Sequence, residues 1–77
     1  MNSVEKYLTN FIVKFFENKK IESNNVSKEI FDYIILNSNI HFENLYVKCS
    51  PTQSGFSGFI AAKCAPKKIE FEIYIKK

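Results

Sequence analysis

Two thiols, Cys49 and Cys64, one imidazole, His41, and eight carboxylates are the groups in this chain able to do chemistry. A redox pair or disulfide needs the thiols side by side, with Cα atoms within about 7 Å. Structural zinc needs four ligands, usually in closely spaced pairs. His41, Cys49 and Cys64 are only three, separated by eight and fifteen residues. His41-Phe-Glu43 matches the H-x-E half of a zinc-deaminase signature, but no P-C-x-x-C half follows. Gly55-Phe-Ser57-Gly58 falls short of the nucleophile elbow G-x-S-x-G, because Phe59 occupies its last position. Acid–base catalysis needs convergent carboxylates or a base beside a nucleophile. Glu70 and Glu72 share one strand face with Lys63 nearby, a pattern that reads as solvated surface. The chain is therefore expected to be non-enzymatic, with no catalytic residue, no metal site and no cofactor.

What positions these groups is a helical half followed by a strand half. Val4, Tyr7, Leu8, Phe11, Ile12, Phe15 and Phe16 recur at the i, i+3, i+4, i+7 spacing of an amphipathic helix. That helix is predicted over about 3–19, with Ser3 as N-cap and Lys14, Lys19 and Lys20 toward its C-terminal end. Val26, Ile30, Tyr33 and Ile34, widened by Phe31 and Ile35, predict a second helix over about 26–37. After Ile40 the apolar period drops to two. Strands are predicted over about 43–49, 56–64 and 68–76, separated by turn residues at 50–55 and 65–68. The fold class is α+β: two N-terminal helices on one face of a three-stranded antiparallel meander, ααβββ, in one compact domain over 1–77.

Pairing must keep apolar residues on one face. A four-residue second connection sets Cys64 opposite Ile69, Ala62 opposite Phe71, Ile60 opposite Ile73 and Gly58 opposite Ile75. Cys49 opposite Phe56 then sets Val47 opposite Gly58 and Leu45 opposite Ile60. In that register both thiols point into the core about 26 Å apart at strand rise, which excludes a disulfide. The outer face acquires a row of three aromatics, Tyr46, Phe59 and Tyr74, bordered by a row of Lys48, Ser57 and Lys76. Lys63 opposes Glu70.

Those five outer residues, Tyr46, Lys48, Phe59, Tyr74 and Lys76, are the expected partner-binding site, since Tyr and Phe are favoured interface anchors. A net charge of +3 is mild, and all eleven basic residues are Lys. Lacking the two-pronged contacts of Arg, a nucleic-acid partner becomes the second choice, served by lysines around aromatics. The first choice is docking on a protein or protein–nucleic acid complex, as a monomer or homodimer. No transmembrane stretch and no signal peptide are read, so the expected place is the cytoplasm without a membrane partner. Forty-two of the 77 residues are Phe, Tyr, Met, Ile, Asn or Lys, against seven Gly, Ala, Arg or Pro. That bias implies an AT-rich coding genome, and together with small size it suits a phage or mobile-element inhibitor of a host defence system, of the anti-CRISPR kind.

Overall fold

A computed structural model describes residues 3–18 and 25–75. Helix α1 spans Ser3–Asn18 and α2 spans Val26–Asn37, followed by β1 (Tyr46–Pro51), β2 (Gly55–Ala61) and β3 (Ile69–Tyr74). The strands form one antiparallel sheet in the order β1-β2-β3. The expected ααβββ architecture is the one observed. Lys19 and Lys20, expected at the end of the first helix, lie outside the described residues.

Both helices bury the stripes that their periodicity predicts, except that Ile35, expected to widen the second stripe, is 48% exposed. Leu8, Phe11, Ile12 and Phe15 of α1 meet Val26, Ile30 and Ile34 of α2 in a core closed by Val47, Cys49, Ile60 and Ala62. Tyr33 takes Phe11 and Phe15 edge-on, at ring separations of 6.1 and 5.7 Å, and so fixes α2 against α1. Phe16 lies against Phe56 at 5.4 Å and Phe71 at 6.4 Å, which seats α1 on β2 and β3. Asn25 caps α2, its Oδ1 accepting from Lys28 N–H at 3.1 Å. Phe42, in the connection between α2 and β1, is buried against Tyr7 with ring centroids 6.1 Å apart.

The sheet faces are as expected, but both registers differ. β1 pairs with β2 as Val47–Ile60, Cys49–Gly58 and Pro51–Phe56, a shift of two residues. The reason lies in the turn, which closes tightly around Gln53-Ser54, with Thr52 N–H donating to Gly55 O at 2.8 Å. Pro51 therefore belongs to the strand rather than the turn. Its position shares the parity of Cys49, whose N–H faces away from β2, so the missing proline N–H costs no ladder bond.

β2 pairs with β3 as Phe56–Ile73, Gly58–Phe71 and Ile60–Ile69, a shift of four. Here β2 ends early, at Ala61. Lys63 N–H donates to Glu43 O at 3.0 Å and its Nζ reaches Glu43 Oε2 at 3.1 Å, drawing the chain toward the α2–β1 connection. Lys63 thus pairs with Glu43, not Glu70. The connection to β3 becomes seven residues, 62–68, and Cys64 sits in it exposed, not in the core. Ile75, expected to face inward, is half exposed beyond the end of β3. Even-numbered shifts keep the inward residues that remain within the strands inward, so the faces survive there while the rows across them change.

Candidate functional site

The face of the sheet opposite the helices carries Tyr46, Lys48 and Ser50 from β1, Ser57, Phe59 and Ala61 from β2, and Glu70, Glu72 and Tyr74 from β3. The register decides which of these meet. Lys48 lies directly across from Phe59, and Glu70 lies across from it on the other side. Tyr46 pairs with Ala61 and reaches Phe59 diagonally, the two rings 5.7 Å apart at an interplanar angle of 44°. Lys68 places its Nζ 4.8 Å from the centre of the Phe59 ring, within cation–π range.

Of the five residues expected to bind a partner, three come together: Tyr46, Lys48 and Phe59. Tyr74 does not join them. It stands opposite Gly55, four positions along β3 from the Phe59 partner Glu70, about 13 Å at strand rise. Its hydroxyl donates to Glu72 Oε2 at 2.5 Å, and that carboxylate raises the Tyr74 pKa. The three-aromatic row is thus a pair plus a separate tyrosine. Lys76 lies outside the described residues. Lys68 is the member that sequence reasoning missed. It shares the parity of Glu70 and Glu72, which was signal enough, but a short connection would have placed it in the turn.

The face has two electrostatic halves. Lys48 and Lys68 flank the aromatic pair, whereas β3 contributes Glu70 and Glu72. Tyr46 is 54% exposed and Tyr74 71% exposed, so the face retains apolar area with polar groups beside it, a composition suited to contact with another macromolecule.

Cys49 adds no chemistry to this face. It is buried on the opposite side, and burial pushes its thiol up to about 11. Both cysteines are free. Among the described residues no group of three His, Cys, Asp or Glu side chains gathers in a way that could hold a metal ion. No helix among them is long and apolar enough to cross a membrane. Comparison with protein-family models, with curated proteins and with solved structures finds no match to this chain.

Proposed function

We propose that this protein is a small non-enzymatic binding protein that docks on a larger macromolecule through the outer face of its sheet. The observation that carries this reading is the Tyr46–Phe59 ring pair. It lies on a sheet face that neither helix covers, with Lys48 across from Phe59 and Lys68 over its ring. Tyr and Phe are enriched at protein interfaces, and Tyr is among the side chains that most often carry their binding energy. A protein or protein–nucleic acid complex is the favoured partner. The size and AT-rich composition suit a phage or mobile-element origin, and inhibition of a host defence system, in the anti-CRISPR manner, is the role we assign on that basis.

Lysines beside two aromatic rings, on which bases could stack, also favour a second reading, binding of single-stranded nucleic acid. Glu70 beside Phe59 works against it, because it sets a negative charge where the phosphate backbone would pass. The test compares wild type with a Tyr46→Ala/Phe59→Ala variant whose fold is verified by circular dichroism. Affinity capture from the encoding organism should retain a partner with wild type and lose it with the variant; equal capture by both would defeat the outer-face reading. Anisotropy of a labelled oligothymidine at two salt concentrations tests the second reading, since phosphate contacts give affinity that falls steeply with salt.

A further inference from the structure

The two edges of the sheet are built differently. On β1, the Ser27 hydroxyl of α2 accepts from Cys49 N–H and donates to Cys49 C=O, closing that edge at its centre. On β3, Ile75 N–H donates to Ser54 O at 2.8 Å, which fixes the hydrogen-bonding phase of the strand. Alternation then turns Ile69, Phe71 and Ile73 toward β2, and the backbone N–H and C=O of Glu70, Glu72 and Tyr74 toward the open edge. Among the described residues nothing bonds these groups. The apolar layer is open on the same side: Val47 and Cys49 beneath β1 are buried, whereas Ile69, Phe71, Ile73 and Phe16 at the β3 side are only half-buried.

We propose that the β3 edge accepts an extended segment of a partner protein as a fourth strand, one that alternates apolar and basic residues. Unpaired main-chain groups in a row specify a strand as occupant. The half-buried Ile69, Phe71 and Ile73 specify apolar side chains on its helix-facing side. Glu70 and Glu72 specify Lys or Arg on its outer side, because opposite charges across neighbouring strands stabilise and like charges repel. The same argument disfavours a second copy of this chain. Antiparallel self-pairing centred on Glu72 sets that carboxylate against its own copy, and sliding by one pair toward Glu70 sets Glu70 against Glu72; sliding the other way sets Glu72 against Tyr74, with no opposite charge to meet it. This edge is distinct from the Tyr46–Phe59 pair, which belongs to β1 and β2, although Phe59 stands across from Glu70.

The probe is a synthetic peptide of alternating Lys and Val, with two controls: alternating Glu and Val, and the Lys-Val peptide methylated on each lysine backbone nitrogen. The last keeps the charge but lacks the amide hydrogens that would face β3, since its lysines stand across from Glu70 and Glu72. Amide shifts and hydrogen exchange are followed by NMR on the whole chain. The Lys-Val peptide should shift and protect the amides of Glu70, Glu72 and Tyr74, and neither control should. A Glu70→Lys/Glu72→Lys variant, both side chains being exposed, should lose the Lys-Val peptide at least tenfold and gain the Glu-Val one. The proposal is overturned if the Lys-Val peptide leaves those amides unmoved, if the N-methylated peptide binds equally, or if the free protein is already a dimer with the β3 amides protected. Shifts confined to Tyr46 and Phe59 would also overturn it while leaving the outer-face reading intact.

Discussion

The Ser27 hydroxyl holds both backbone polar groups of Cys49, accepting from its N–H at 2.8 Å and donating to its carbonyl at 3.1 Å. One side chain in the first turn of α2 thereby fastens the helix to β1 and supplies the partners that an edge strand lacks. Ser27→Ala leaves a donor and an acceptor unmet in a partly buried place, a loss of about 1–3 kcal/mol. Urea denaturation should show that loss, and amide exchange should accelerate at Cys49 more than elsewhere in β1. Unchanged exchange at Cys49 would mean that the hydroxyl does not guard this edge.

Gly58 faces the helices, yet it carries no side chain into the core. A Cβ there would run into the Lys48 carbonyl and lie 2.8 Å from Cys49 Cα, both parts of the neighbouring backbone. Because backbone cannot swing aside as a side chain can, Gly58→Ala should cost about 1–3 kcal/mol, the usual range for overpacking. Ser57→Ala, one residue away on the outer face, should be close to neutral. A urea midpoint for Gly58→Ala equal to that of Ser57→Ala would contradict the close approach of β1 and β2.

Cys49 makes stability depend on pH in a narrow alkaline window. In the unfolded chain its thiol ionises near the ordinary 9.0, while burial delays ionisation in the fold to about 11. Between those values the unfolded state releases a proton that the folded state keeps, so unfolding is favoured as pH rises. The contribution is intact below pH 9 and is lost on passing to 11. Cys49→Ala, whatever its own cost, should flatten this part of the pH–stability curve; a slope identical to wild type would place the effect elsewhere. With Cys64 exposed, a thiol reagent should modify one equivalent in the native protein and two after denaturation.

The helices and the sheet faces were legible because their signals are local. A stripe at 3.6 or an alternation at 2 needs only neighbouring residues, and Val26, Ile30 and Ile34 fall where the stripe puts them. Register is not local: it depends on where each turn closes. Gln53-Ser54 carries none of the Gly or Asn that marks a tight hairpin turn, whereas Pro51 and Gly55 mark one falsely from within the strands. Lys63 and Glu43 meet across 20 positions of sequence, so the early end of β2 that their contact enforces had no sequence signature. Cys64 followed β2 out of the core for the same reason. Phe42 was hidden differently, as a lone aromatic in a polar connection with no period to join. Phe42→Ala should nevertheless cost about 3–5 kcal/mol, the range for a buried Phe, measurable by urea denaturation.

The revised register makes its own demand on the outer aromatics. If Tyr46, Phe59 and Tyr74 stood in one row, truncating Phe59 would weaken its coupling to both tyrosines. The observed pairing puts Tyr46 in ring contact with Phe59 and sets Tyr74 opposite Gly55, bonded to Glu72. Aromatic contacts of this kind are worth about 0.5–1.5 kcal/mol beyond buried area, and a diagonal pair whose tyrosine is exposed belongs at the lower end. Two double-mutant cycles separate the arrangements. The Tyr46→Ala/Phe59→Ala cycle should return a favourable coupling of about 0.5 kcal/mol, and the Phe59→Ala/Tyr74→Ala cycle none beyond error. Coupling of equal size in both would restore the single row, and with it a binding surface that reaches across all three strands instead of one centred on β1 and β2.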